Sequence, residues 1–206
     1  MSSKIKYKIS DIQNLKNSKT PFCTITVYDY ASSLIINELN IPLVLVGDSA
    51  SMVMFGYENT TRISVNELLF LTKAVCRGIS RALIVADLPF MSYQPSNSLA
   101  VENAGRFIKE GKADAVKLEG GIEYIDRVEN IVKAGIPVMG HIGLKPQSVL
   151  QESGYKIKGK TFESAKEIYR DAIALEKAGA FSIVLECVPV ELADIITSKL
   201  KIPTIG

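Results

Sequence analysis

The chain has 206 residues, 47% of them hydrophobic, enough to bury a full core in one domain over 1–206. Its 24 basic and 22 acidic residues leave a net charge of +2, and no basic cluster is interleaved with stacking aromatics, which argues against nucleic acid as a partner. Cys23, Cys76 and Cys187 are widely spaced and form no Cys-x-x-Cys pair, which argues against a disulfide framework or a thiolate metal site and suits a reducing cytoplasm.

Residues 1–20 form a polar, Lys-rich segment without an apolar signal core, and no run approaches the roughly 18 apolar residues of a membrane span. A soluble, cytoplasmic protein with no membrane partner is expected. Beyond that segment, short β-branched runs alternate with longer amphipathic stretches, the order of strand and helix units around a parallel sheet. Residues 24–28 and 43–47 supply the first two strands. Ser64 then opens Ser-Val-Asn-Glu, a capping box with Glu67, and Gly78 stands near the end of that helix. Residues 83–86, 115–118 and 137–141 supply the next three strands. Thr161 opens a long helix to Ala178, with Gly179 as its stop, before a strand at 182–186. Pro189 suits the first turn of a last helix through Lys199, and residues 202–205 form the seventh strand.

Three related phrases precede strands: Lys109-Glu-Gly-Lys-Ala-Asp114, Lys133-Ala-Gly-Ile-Pro137 and Glu176-Lys-Ala-Gly-Ala180. Each predicts a basic residue in the last helical turn and a glycine at the left-handed stop. The whole pattern predicts an α/β fold, a TIM (β/α)8-type barrel with seven strands visible and the eighth missing; a doubly wound sheet gives similar local patterns. No GxGxxG or GxxxxGK[ST] fingerprint supports a nucleotide fold. Because the seventh strand runs into Gly206, a partner fills the gap, the barrel is open, or the chain is shortened.

Four of the strand candidates lead into an acid: Asp48, Asp87, Glu119 and Glu186. Carboxyl ends of barrel strands converge on one face, so acids repeated there build a metal or acid/base site. Strand parity puts Lys117 and Glu119 on one face, Asp48 in line with Val46, Asp87 with Val85, His141 with Met139 and Glu186 with Val184. Carboxylates with water and substrate oxygens suit Mg²⁺, and a chain with a single histidine is poorly equipped for zinc. Simpler readings stand beside these: Asp48 and Ser49 as helix caps, His141 as a satisfied core histidine. Lys117 reads as a point charge for an anionic substrate or as a Schiff-base lysine, although nearby carboxylates would keep it protonated.

The motifs Tyr28-Asp-Tyr-Ala31, Leu45-Val-Gly-Asp-Ser49, Ala86-Asp-Leu-Pro-Phe-Met91, Val116-Lys-Leu-Glu-Gly-Gly121, Gly140-His-Ile-Gly-Leu144, Gly154-Tyr-Lys156 and Leu185-Glu-Cys-Val-Pro189 resemble, in order, those of the ketopantoate hydroxymethyltransferase family. The resemblance spans residues 22–206. It implies a barrel of the phosphoenolpyruvate/pyruvate-like type that makes 2-dehydropantoate (ketopantoate) for pantothenate and coenzyme A biosynthesis. The implied substrates are 3-methyl-2-oxobutanoate and 5,10-methylenetetrahydrofolate, and the implied route is a magnesium-stabilised enolate. It further implies Asp48, Asp87 and Glu119 as Mg²⁺ ligands, and Asp48, Ser49, Asp87 and Lys117 as contacts of the 2-oxo acid. Glu186 is the implied general base, and His141 is suggested to orient the substrate. The family forms decameric rings, so a homo-oligomer is expected. Its Gly-Ala-Gly and Asp-Gly-Gln segment has no counterpart here, which would leave strand edges open. Two further readings are a catalytically impaired assembly partner and a related Mg²⁺-dependent 2-oxo-acid carbon–carbon lyase.

Overall fold

The computed structural model describes residues 6–152, 154 and 156–206; Tyr155 of the Gly154-Tyr-Lys156 motif lies outside them. The chain runs through α1 (Ile9–Asn17), β1 (Thr24–Thr26), α2 (Tyr30–Glu38), β2 (Leu43–Val46), α3 (Ala50–Val53), α4 (Val65–Gly78), β3 (Leu83–Asp87) and α5 (Asn97–Lys109). It continues through β4 (Ala115–Glu119), α6 (Ile125–Lys133), β5 (Val138–Gly143), α7 (Val149–Glu152), α8 (Phe162–Lys177), β6 (Ser182–Glu186), α9 (Val190–Lys199) and β7 (Thr204–Ile205). All seven expected strands are present and pair in parallel in chain order, as a nearly closed α/β barrel. Among the described residues there are seven strands and no eighth, in line with the expectation of seven visible strands.

Both faces of these strands are covered, which is why they read as nearly unbroken apolar runs. Val44, Val46, Ile84, Ala86, Val116, Leu118, Val138 and Ile183 face outward onto Leu68, Val75, Phe107, Ile131 and Leu175 of the helices. Leu43, Leu83, Val85, Ala115 and Met139 face inward. The polar N-terminal segment proves to contain α1, whose buried Ile12, with Tyr7 and Leu15 beside it, packs onto this inner cluster and plugs the amino-terminal end of the barrel.

Several expected boundaries shift for identifiable reasons. The first strand stops at Thr26 because Asp29 already caps α2, accepting a hydrogen bond from Ser32 N at 2.8 Å. The seventh begins only at Thr204, since Pro203 has no N–H to give a ladder. Pro189 is the residue before α9 and not part of its first turn. The glycine stop holds at Gly135 and Gly179, with φ of 85° and 96°, but in the first phrase Lys112 takes the left-handed conformation instead, at φ 65°. Gly111 is glycine for space: a Cβ there would lie 2.4 Å from Phe107 O.

Ile12→Ala should destabilise the protein by about 2–5 kcal/mol, as buried large-to-small changes do, whereas Asn14→Ala on the exposed side of α1 should change it little; chemical denaturation of both variants checks this.

Candidate active site

Inward parity gathers polar groups at the carboxyl end of the barrel. Asp87 follows Val85 on β3, Lys117 and Glu119 follow Ala115 on β4, His141 follows Met139 on β5, and Glu186 follows Val184 on β6. Strand register sets Asp87 beside Lys117 and Glu119 beside His141. Asp48 arrives by another route. Val46, its expected partner in parity, packs outward against the helices, and β2 ends there. The chain then turns through Gly47, where a Cβ would lie 2.8 Å from Ser49 Oγ, and the Asp48 amide donates to Asp87 Oδ2 at 2.9 Å. Ser49 precedes α3, but its hydroxyl makes no capping bond; it meets Tyr28 Oη at 2.8 Å. The Asp48 carboxylate is taken by Gln147, so neither residue serves as a side-chain helix cap.

At the centre, Lys117 Nζ lies 2.8 Å from Asp87 Oδ1 and 3.3 Å from His141 Nδ1, all three residues being buried. Burial alone would lower the lysine pKa, but Asp87, Glu119 and Asp48 outweigh it and raise it above its ordinary value. Lys117 is therefore held as an ammonium, which suits its reading as a point charge. An ammonium has no acceptor, so His141 Nδ1 must accept from it. Burial, then the lysine charge, holds the imidazole pKa below its ordinary value. The neutral ring thus carries its proton on Nε2, 3.0 Å from Glu186 Oε2, though off the line of a good hydrogen bond. His141 thus stands between Lys117 and Glu186 within the site. Glu186, 36% exposed at its side chain, is the acid at the mouth.

Two organising residues carry no local signal in the sequence. Gln147, in a turn beyond β5, donates through Nε2 to Asp48 Oδ2 at 2.8 Å and through its backbone N–H to Glu119 Oε2 at 3.0 Å. Tyr93 Oη lies 2.8 Å from Glu119 O and 2.9 Å from Gln147 Oε1. A cavity of about 170 Å³ lined by Phe90, Tyr93, Glu119, Tyr124 and Gln147 adjoins them. A larger one, about 640 Å³, lies away from these acids, among Leu15, Phe22, Thr197 and Pro203.

Burial, then the Asp87 charge, pushes Asp48 up to about 7, although Lys117 and Gln147 pull it down. Burial pushes Glu119 up to about 8 against the pull of Lys117. Among the described residues, no group of three or more His, Cys, Asp or Glu side chains is arranged to hold a metal ion by itself. The expected trio of Asp48, Asp87 and Glu119 is therefore not a ready-made cage; one oxygen of each accepts a hydrogen bond from Gln147 or the Asp48 amide.

A family model described as ketopantoate hydroxymethyltransferase matches residues 6–206. The chain belongs to this family. It is 54% identical over 198 residues to the 3-methyl-2-oxobutanoate hydroxymethyltransferase of Dehalococcoides mccartyi, covering 96% of this chain and 71% of that one. With the enzyme of the same name from Enterococcus faecalis, identity is 54% over 192 residues, with coverage of 93% and 69%. The fold is similar to a phosphonopyruvate hydrolase solved with oxalate and Mg²⁺, at a TM-score of 0.68 and 13% identity, over 97% of this chain and 80% of that one. It is also similar to 2,3-dimethylmalate lyase, a member of the PEP mutase/isocitrate lyase superfamily, at a TM-score of 0.66 and 15% identity, over 93% and 68%. These likenesses show the fold, an α/β barrel, as expected. No described helix is long and apolar enough to cross a membrane.

Because Asp48 and Glu119 are raised in the folded state, the folded protein keeps protons that the unfolded chain releases above its ordinary carboxylate range. The stability they lend is complete below the ordinary carboxylate range, falls as pH rises from that range, and is fully lost once pH passes about 7 to 8, where the folded protein releases the same protons. Thermal melts without divalent cations should fall across this window, and Asp48→Asn should flatten the fall.

Proposed function

We propose that this chain is a 3-methyl-2-oxobutanoate hydroxymethyltransferase that makes ketopantoate, with Glu186 as its general base. Family membership supports the overall reaction. The observation that carries the base assignment is geometric: Glu186 is the partly exposed acid of the cluster, 3.0 Å from a neutral histidine, while Asp48, Asp87 and Glu119 are buried below it. A general base must reach its substrate proton, and the buried acids are already held by Gln147, Lys117 or the Asp48 amide.

In this reading the 2-oxo acid lies above Lys117, in reach of Asp48, Ser49, Asp87 and His141. Lys117 supplies positive charge to the substrate anion, and Ser49, set by Tyr28, supplies a hydroxyl. Glu186 removes a proton from the carbon beside the keto group. The Nε2–H of His141 lies beside the Glu186 carboxylate, 3.0 Å from Oε2. The deprotonated carbon then forms a carbon–carbon bond to the methylene carbon of 5,10-methylenetetrahydrofolate, the co-substrate implied by the family; water supplies the hydroxyl as the remaining carbon–nitrogen bond breaks, and tetrahydrofolate leaves.

The donor set fits Mg²⁺ in part. It consists of buried carboxylate oxygens, Asp87 Oδ1 lacks an aligned hydrogen bond, and four acids face one ammonium. Mg²⁺ usually takes one or two carboxylates and completes its shell with water and substrate oxygens, so no closed protein cage is required. Asp48 and Asp87, with Glu119 beside them, would hold it. When bound, the ion acts as a Lewis acid for the charge that develops on the keto oxygen.

Self-association is also proposed, because Met52, Val53, Met54, Phe55 and Tyr57 present an exposed apolar patch in and after α3. Sedimentation should find an oligomer; a monomer retaining full activity would remove this reading.

Exchange of the ketoacid α-proton with solvent deuterium, followed by NMR, should require Mg²⁺ and fall about 10²–10⁴-fold in Glu186→Gln, the usual contribution of a positioned base. Persistent exchange in that variant would show another base. Product formation should also require 5,10-methylenetetrahydrofolate; carbon–carbon cleavage without any folate would favour a lyase.

A further inference from the structure

The carboxylate cluster depends on a neutral side chain from a loop. Gln147 is 5% exposed and sits in a turn begun by Pro146. Its Nε2 has two hydrogens, and they are spent on Asp48 Oδ2 at 2.8 Å and Leu88 O at 3.0 Å. Its Oε1 receives Gln94 Nε2 at 3.1 Å and lies 2.9 Å from Tyr93 Oη. The amide can therefore sit only one way round: flipped, its oxygen would face a carboxylate and a carbonyl, and its nitrogen would face another amide nitrogen. The clamp is itself braced from outside, since Arg127 donates to the Gln94 carbonyl at 2.9 Å. Through its backbone N–H the same residue holds Glu119 Oε2. Asp48 and Glu119 lie 99 and 28 positions away in the chain, yet one residue fixes an oxygen of each.

We infer that Gln147 is a positioning residue that locks the Asp48 and Glu119 carboxylates in the orientation needed to receive a divalent cation. A hydrogen bond to a charged acceptor is among the stronger ones, and the like charges of Asp48 and Asp87 would otherwise push these side chains apart. A glutamate here would turn the donor into an acceptor; a methionine would keep the length and remove the hydrogen bonds of the side chain. The cation reading itself rests on the proposed function above.

The test measures Mn²⁺ affinity by electron paramagnetic resonance, with folding checked by circular dichroism. Gln147→Met and Gln147→Glu should each bind Mn²⁺ about 10- to 100-fold more weakly than the unsubstituted chain, the usual loss when a support of a metal ligand is removed. Gln94→Ala, which releases only the oxygen side of the clamp, should lose much less. In turnover, the Mn²⁺ concentration needed for half activity should rise more than kcat falls, a split that general loss of packing does not give. Equal Mn²⁺ affinity in the folded Gln147 variants and the unsubstituted chain would overturn the inference. If the unsubstituted chain binds no Mn²⁺, the metal reading fails on its own, and metal-free crystal structures decide the role of Gln147. An Asp48 carboxylate that turns away in the variants, while Glu119 stays on the backbone N–H of residue 147, would support it; Asp48 staying within about 0.5 Å would overturn it.

Discussion

The ammonium of Lys117 is the charge on which the carboxyl end of this barrel rests. Three buried carboxylates, Asp48, Asp87 and Glu119, act on it and together hold it protonated against burial. A buried ion without a partner costs several kcal/mol, so the lysine and its acids stay buried only as a group. The consequence reaches further than charge balance. By fixing the proton on Lys117, the acids make His141 Nδ1 an acceptor and leave the ring's own proton on Nε2, beside Glu186. Two buried side chains thus stand in line between Glu186 at the mouth and the acids at the base of the site.

Parallel pairing explains how such a line can exist. Asp87, Lys117, His141 and Glu186 come from four consecutive strands, and hydrogen-bonded strands lie roughly 4.8 Å apart, about the distance that one charged side chain bridges. The line also needs the strand ends to approach closely. At Gly143, with φ 92°, a Cβ would lie 2.2 Å from Glu186 O, so only glycine lets β5 finish beside Glu186. Leu144 N then donates to that same carbonyl at 2.8 Å and pins it. The apolar layer below, plugged by Ile12, keeps water from the amino-terminal side.

The seven strands and the inward row of charges were legible in the chain because both follow local rules. A strand buried on both faces is an apolar run, and alternation places Lys117 with Glu119 without knowledge of anything else. The rule failed at Asp48, where the strand had ended and the turn at Gly47 decided the direction of the side chain. It was silent on α1, whose single fully buried Ile12 is hidden among polar residues. It was silent too on Gln147 and Tyr93, since a glutamine after a proline and a tyrosine in a loop are ordinary until their partners arrive from other strands.

What the amino-acid order determined by itself was the identity and spacing of the chemical groups: four acids, a lysine and a histidine at the ends of strands, in motifs resembling one family. What only the tertiary structure decided was their states and their pairing. Whether Lys117 is charged, which nitrogen of His141 bears the proton and which acids are left with free oxygens all depend on distances of a few ångströms between residues remote in the chain, in a medium from which water is excluded. Local sequence rules carry no information on those distances, because burial and Coulomb energy are set by the assembled barrel and not by neighbours along the backbone.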